Sequence, residues 1–379
     1  MQKRICFVVG NYNNGGGTER VLSIVANGLV QYPYEIMILS VGKGLEPTYE
    51  TDSRIQLQEL NISTSYPRKS PGNGGALAKV LYEGTKTIWR HQTQLIITNK
   101  ITEILQQWRP DVVVAVDLQM YHNIEPTRRK LGFSTIAWEH FSLEGKSGLY
   151  LDYSRRLATK YASRVVVLSD ADLKAYQKKY PKATNLQRIY NPLAFELSNN
   201  IQVQNKVVVA AGRYAPQKGF DLLLEVWAKI AKQVPDWELR IFGDGPDRGK
   251  LQEIIDAHSM TNAKLCGFTN CLNKEMESAS IFVLSSRYEG FGLVLLEAQA
   301  KGLPCVSFSC PQGPVEIIDD GVNGLLVPPG NTEVFAEKLL MLMQDTTLRQ
   351  SFSENSQKAL HRFELSTVVA QWVALFDSI

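Results

Sequence analysis

The sequence predicts an α/β protein made of two doubly wound parallel sheets, each its own domain, facing one another across a cleft. Three observations lead there. The chain has 379 residues, long for one hydrophobic core when a domain takes about 100 to 200. Short β-branched runs alternate with helical stretches in two successive series, the pattern of stacked βαβ units. Between the series lies QRIYNPLAFELSNNIQVQN, where Asn191-Pro192 enforces an extended path ahead of a polar stretch.

Taken in order, the first series has buried strands at Ile5 to Val9, Glu35 to Ser40, Asp111 to Val116, Thr135 to Trp138 and Val165 to Leu168. The second has them at Lys206 to Ala211, Glu238 to Phe242, Ala263 to Leu265, Ile281 to Leu284 and Pro304 to Phe308. Helices fall between them, for example at Thr18 to Leu29, Phe220 to Gln233, Gly249 to His258 and Val334 to Gln344. The last segment, FELSTVVAQWVALFDSI, reads as an amphipathic helix added after the second domain is complete. The division is then a first domain over 1–191, a second over 192–364 and a closing helix over 365–379.

Composition narrows the class. With 44% hydrophobic and 21% charged residues, the chain is an ordinary globular protein. It holds no run of about 20 apolar residues that would span a bilayer. The opening MQKRICFVVGNYNNGGG sets basic residues before apolar ones, yet Ile5 to Val9 is too short for a secretory signal and runs into Asn and Gly. Five cysteines, Cys6, Cys266, Cys271, Cys305 and Cys310, are odd in number and lack CxxC spacing. That argues against a disulfide framework and structural zinc and fits a reducing cytoplasm. The net charge of +3 hides a split: residues 1–194 hold 25 basic against 16 acidic side chains, net +9, and the remainder 16 against 22, net −6. A basic half points to an anionic partner such as lipid headgroups, a pyrophosphate-bearing substrate or nucleic acid.

Chemistry is expected on the strand-to-helix loops, since ligands of open parallel sheets bind beyond the carboxyl ends of the strands. After the first strand comes GNYNNGGGTERV. Its glycines either let the backbone approach an anion at the start of the next helix or form a flexible turn capped by Thr18; the motif is neither GxGxxG nor a Walker loop. The second series opens with AAGRYAPQKGF, where Arg213 and Lys218 are either two cations over one loop mouth, suited to a diphosphate, or solvated loop residues. The third loop, SRYEGFGLVLLEAQA, carries Glu289 and Glu297 around the turn Glu289-Gly290-Phe291-Gly292, which launches a helix near Leu293. Phosphate oxygens can sit on that helix end, Glu297 in its second turn can accept ribose hydroxyl hydrogens, and Glu289 is free to face another part of the ligand.

At these residues the sequence resembles the family 4 retaining glycosyltransferases of GT-B architecture, whose two domains are Rossmann-like. The E-x7-E motif reads as Glu289 to Glu297, the glycine loop as GGGTERV and the phosphate pair as GRYAPQKG. IFGDGPDRGKLQ, CPQGPVEIIDDGVNGLLV and the His140 of AWEHFS match as well. The resemblance implies a nucleotide-sugar donor held mostly by the second domain, and a C-terminal helix that crosses back to the first. It puts Arg213 and Lys218 on the diphosphate, Glu297 on the ribose, and Glu289 and His140 beside the transferred sugar. Backbone groups of Gly290, Phe291, Gly292 and Leu293 would hold phosphate, with Gly16 and Gly17 closing over it. The stretch Cys310 to Glu316 looks like that of a subgroup acting on bacterial surface polysaccharides, whose donors are usually UDP-sugars. The resemblance also implies front-face attack rather than a covalent Glu289 intermediate. It implies no cofactor and no metal, Arg and Lys standing in for a cation. The triplet Asp170-Ala171-Asp172 fits a DxD metal motif, but its place after a strand reads as a helix cap, with Ser169 or Asp170 capping and Asp172 in the first turn.

The basic half holds one further surface. In YPRKSPGNGGALAKVLYEGTKTIWRHQ, Arg68 and Lys69 precede Lys79, Lys86 and Arg90, which recur at sevens and fours and so line one helical face. Such a face suits an anionic membrane surface, or it is simply solvated. Nucleic acid is disfavoured because no recognised binding module is present. The expected protein is a cytoplasmic enzyme, peripheral on the inner face of the cell membrane. It would transfer a hexose or N-acetylhexosamine from a UDP-sugar to a lipid-linked oligosaccharide or glycan acceptor. A sugar-nucleotide epimerase of related fold and a catalytically idle nucleotide-sugar-binding subunit are the alternatives.

Overall fold

A computed structural model describes residues 2–43, 47–63, 66–67, 76–143, 148–194, 204–310 and 312–379, without the side chains of 76–78 and 80. The first sheet has seven parallel strands: β1 (Lys3–Val9), β2 (Tyr34–Ser40), β3 (Gln56–Glu59), β4 (Val112–Val116), β5 (Ser134–Trp138), β6 (Arg164–Val167) and β7 (Leu186–Arg188). Their order is β3-β2-β1-β4-β5-β6-β7. The second has six: β8 (Val207–Ala211), β9 (Glu238–Phe242), β10 (Ala263–Gly267), β11 (Ile281–Leu284), β12 (Cys305–Phe308) and β13 (Gly324–Val327), ordered β10-β9-β8-β11-β12-β13. In each sheet the chain reverses its direction of winding beside the first strand, at β1/β4 and at β8/β11, which is where an open parallel sheet leaves a crevice.

The helices of the first half are α1 (Gly17–Leu29), α2 (Ala76–Trp108), α3 (Tyr121–Leu131), α4 (Leu149–Tyr161) and α5 (Asp170–Lys179). Those of the second are α6 (Phe220–Ile230), α7 (Arg248–Ala257), α8 (Leu272–Glu277), α9 (Leu293–Ala300), α10 (Pro314–Ile317), α11 (Thr332–Gln344), α12 (Thr346–Lys358) and α13 (Leu365–Asp377). The central strands are wholly buried, Val112–Val116 and Ile281–Leu284 among them, because helices cover both faces of a parallel sheet. Three strands went unforeseen, β3, β7 and β13. Two of them, Gln56–Glu59 and Leu186–Arg188, are polar edge strands with half-exposed side chains and so lack the apolar run that marks their neighbours.

One apolar cluster runs through both domains, from Ile5, Phe7 and Val25 to Phe282, Leu295 and Phe363. At the join, Tyr190, Phe291 and Phe363 form an aromatic trio with ring centroids 4.9 to 5.8 Å apart. Beside it Glu316 of the second domain accepts the first amides of α5, Asp170 N at 2.7 Å and Ala171 N at 3.2 Å, and the Tyr190 hydroxyl at 3.0 Å. A carboxylate at a helix amino end meets both unpaired N–H groups and the helix dipole. The closing helix α13 packs on the first domain: Lys3 Nζ donates to Phe376 O and Ile379 O, and Trp372 meets Trp138 edge-on at 4.7 Å. The cysteines are all free thiols, three of them buried.

Candidate active site

The two crevices open on one cleft of about 790 Å³, lined from both domains. From the first come Gly15, Gly17, Arg20, Tyr49, His140 and Asn191; from the second, Arg213, Lys218, Phe268, Glu289, Gly290 to Val294 and Glu297. The residues that the sequence assigned to the ligand site in both halves therefore share one hollow, apart from Gly16, which flanks its wall as the N-cap of α1.

The second-domain wall is built by close glycine contacts and by hydrogen bonds to main-chain groups, with ion pairs beside them. Gly219 has φ 62° and packs so close to Ser285 that a Cβ would fall 2.1 Å from that residue's carbonyl oxygen, a place only glycine can take. The loop carrying Arg213 and Lys218 is stitched to the following one by Arg287 N donating to Gln217 O (2.8 Å) and Gln217 Nε2 to Tyr288 O (3.1 Å). Ser285 Oγ donates to Lys218 O (2.9 Å), and Arg287 clamps Asp221 with Nη1 and Nη2. These bonds bring Lys218 Nζ to 2.7 Å from Glu289 Oε1, which also accepts Ser286 Oγ at 2.6 Å. Arg213 stands exposed on the same wall. Helix α9 begins as foreseen at Leu293, with Gly292 as a left-handed N-cap that supplies no side chain, so its first amides have no acceptor inside the helix. Behind the turn, Gly313 (φ 82°) lies where a Cβ would meet Phe291 O at 2.1 Å.

The first-domain wall rests on side chains. His140 follows β5, its ring 4.4 Å from Trp138, and its Nε2 is buried without a hydrogen bond to any described residue. Burial pulls its pKa down to about 3, so the imidazole is neutral at physiological pH. Glu139 accepts Arg155 Nε at 3.0 Å and Tyr176 Oη at 2.6 Å on one oxygen, and Phe141 N at 3.1 Å on the other. Arg155 in turn reaches the carbonyls of Ser142 and Leu143. Across the cleft, a Cβ on Gly290 would fall 2.5 Å from His140 O, so the two loops touch.

The glycine loop opens α1 at the edge of the cleft. Gly16 is the N-cap of α1 and Glu19 the third residue of the helix. Glu19 is buried, its pKa raised by desolvation and lowered again by bonds to its own amide and that of Gly16. Gly16 supplies no side-chain cap, its own amide donates to Asn14 O at 2.8 Å, and Thr18 lies inside the helix. Gly17 still touches the opposite domain, with a Cβ position 3.3 Å from Leu293 Cδ1. The triplet after β6 folds as a cap, Ser169 Oγ accepting Asp172 N at 2.9 Å. Asp172 takes Leu143 N at 3.1 Å, and Asp170 pairs with Arg188 at 2.7 Å.

Of the basic helical face, Arg68 and Lys69 lie outside the described residues. Lys79, Lys86 and Arg90 fall on α2, away from the cleft lining; Lys79 and Arg90 are exposed, while Lys86 is half-buried over the Tyr82 ring and 3.4 Å from Glu83. Exposed Leu81, Ile88 and Leu95 also recur at sevens, and two residues on from a cation lies about 200° round a helix. The apolar stripe and the basic one therefore face opposite ways. Among the described residues no helix is long and apolar enough to cross a membrane. Reading the sequence missed Arg20, Ser286, Tyr49 and the Glu139–Arg155 pair. Only Arg20 had a signal, its place beside the glycine loop.

Comparison with known proteins fits this geometry. Residues 195–359 match the family described as glycosyl transferases group 1. Over 373 residues the chain is 29% identical to an uncharacterized glycosyltransferase of Haemophilus influenzae, covering 98% of this chain and 99% of that one. It is 25% identical to the amylovoran biosynthesis glycosyltransferase AmsD of Erwinia amylovora, covering 97% and 98%. Among solved structures, Anabaena HepE in complex with UDP-glucose superposes with a TM-score of 0.78 at 21% identity, covering 99% of this chain and 100% of that one.

Proposed function

We propose that this protein, of GT-B fold, is a retaining glycosyltransferase. It moves a hexose or N-acetylhexosamine from a UDP-sugar to a lipid-linked or glycan acceptor in the assembly of a bacterial surface glycan. The observation that carries the reading is the convergence of Arg213, Lys218, the amino end of α9, Glu289, Glu297 and His140 on one cleft. The likeness to AmsD supports a polysaccharide product, and the UDP-glucose bound in HepE supports the donor. The retaining course and independence from metal rest on the family resemblance.

As the anomeric C–O bond breaks, negative charge gathers on the departing diphosphate. Arg213, Lys218 and the amides opening α9 face it and stabilise that state more than the ground state. Lys218 is held ready by Glu289, 2.7 Å away. Glu289 spends one oxygen on Lys218 and Ser286 and keeps the other for the sugar. Neutral His140 hydrogen-bonds the sugar without competing for the diphosphate. The acceptor hydroxyl enters on the face the diphosphate leaves, forms the new C–O bond and passes its proton to a phosphate oxygen, so the anomeric configuration is kept.

The test is UDP release from a panel of UDP-sugars with glycan acceptors, with the product's anomeric configuration read by NMR. Lys218→Ala should slow transfer by about 10²- to 10³-fold, and EDTA should change nothing. An inverted product, or epimerised donor without transfer, would overturn the reading. Membrane association, carried by the exposed Lys79 and Arg90 of α2, predicts sedimentation with anionic but not neutral vesicles. Equal recovery with both removes it.

A further inference from the structure

Arg20, in the first turn of α1, reaches across the mouth of the cleft and places Nη1 2.5 Å from Glu297 Oε1 in the second turn of α9. The Glu297 side chain is 5% exposed and the Arg20 side chain 23%, so the pair closes one end of the hollow. The two helix starts also touch through Gly17 and Leu293, and Tyr49 lines the same wall. A carboxylate this deeply buried is disfavoured in its charged form unless a cation meets it. Burial raises the pKa of Glu297, and Arg20 works against that rise. Among the described residues Arg20 is the one ion-pair partner of Glu297, and it engages a single carboxylate oxygen.

We propose that Arg20 of the first domain is a positioning residue for the nucleotide. By holding one oxygen of Glu297 it keeps the other turned into the cleft for the ribose hydroxyls, and it makes donor affinity depend on contact between the domains. This rests on Glu297 being the ribose ligand. Sugar–nucleotide recognition is then shared across the cleft rather than confined to the second domain. A ribose hydroxyl that donates to a fixed, charged oxygen gains more than one that must first order it.

Calorimetric titration of the full chain with UDP and with 2′,3′-dideoxyuridine diphosphate separates the outcomes, using Arg20→Ala, Arg20→Lys, Glu297→Ala and the double variant Arg20→Ala/Glu297→Ala. The wild type should prefer UDP, and Arg20→Ala should weaken UDP by on the order of tenfold or more and bring the two ligands close to equal affinity. Arg20→Lys, which keeps the charge and the fold, should recover part of the preference. The double variant should bind UDP no worse than Glu297→Ala alone, since both changes disable one arrangement. A purely structural role would lower the unfolding temperature and leave the preference for UDP intact, and that result overturns the proposal. If Glu297→Ala weakens UDP while Arg20→Ala does not, the ribose reading stands and this inference alone fails. If Glu297→Ala leaves UDP affinity unchanged, the ribose reading itself fails and takes the inference with it.

Discussion

Two loops meet in the cleft, and they are held by opposite means. Residues 285–292 are shaped mainly by glycines and bonds to main-chain groups, with the partly exposed Arg287–Asp221 pair at their edge, Gly219, Gly292 and Gly313 at positive φ and Gly290 against the His140 carbonyl. Residues 139–143 are shaped by a buried ion pair, Glu139 with Arg155, whose side chains are 2% and 0% exposed, and by Tyr176 and Asp172. Backbone support leaves room for a ligand and costs little when a neighbouring side chain changes. Charged side-chain support fixes a loop firmly, but every member depends on the others. The two loops should therefore fail differently.

The sharpest way to break the contrast is Glu139→Ala. It removes the close carboxylate from the buried Arg155 guanidinium, leaving only Asp152 at 4.0 Å among the acidic side chains of the described residues, and strands the Tyr176 hydroxyl, a loss of about 3 kcal/mol of stability. Chemical denaturation should show a large fall in the unfolding midpoint, with Glu139→Gln falling less because the amide oxygen can still accept one of the bonds. UDP affinity measured in the folded population should barely change, because Glu139 faces the domain interior. A Glu139→Ala protein as stable as the wild type would mean that the ion pair does not support this loop.

The same contrast explains what could be read from the sequence. The buried strands and the start of α9 at Leu293 were legible, because apolar runs and glycine turns mark the chain locally. The second-domain wall of the cleft was legible for that reason: GRYAPQKG and EGFG carry their geometry in their glycines. Glu139, Arg155 and Tyr176 are 16 and 37 positions apart, and nothing local links them. Arg20 and Glu297 lie in different domains, 277 positions apart, and meet only once both sheets have formed. Edge strands β3 and β7 were missed because an exposed polar strand has no pattern of its own.

Gly290→Ala tests the other loop. Its Cβ would lie 2.5 Å from a backbone oxygen, a neighbour that can yield only if the two domains part slightly. Each domain keeps its core, so the unfolding midpoint should move little. The reacting groups on the two walls separate, and a misplacement near 1 Å costs about a hundredfold in rate. Transfer should thus fall by roughly that factor while UDP still binds. A large loss of stability with normal turnover per folded molecule would reverse the assignment of the two loops.

The smallest effect sharpens the contrast within the charged loop, because its buried groups titrate in opposite senses. His140 has its pKa pulled from 6.5 to about 3 by burial. As pH falls below 6.5 the unfolded chain gains a proton the folded one refuses, so stability is lost through the window from 6.5 down to about 3. Asp172 has its pKa pushed from 3.8 to about 6, mainly by burial. The folded chain holds that proton where the unfolded one has released it, so its contribution is present below 3.8 and lost as pH rises through 6. Between pH 4 and 6 the two oppose each other. Relative to wild type, His140→Asn should therefore gain stability as pH falls from 6 to 4, and Asp172→Asn should lose it, each by up to about 1.4 kcal/mol per pH unit. Urea unfolding at three pH values across that window reads the two slopes, with all other titrating groups common to the three proteins. Parallel curves for all three would place both side chains in water, which a loop braced by the Glu139–Arg155 pair does not allow.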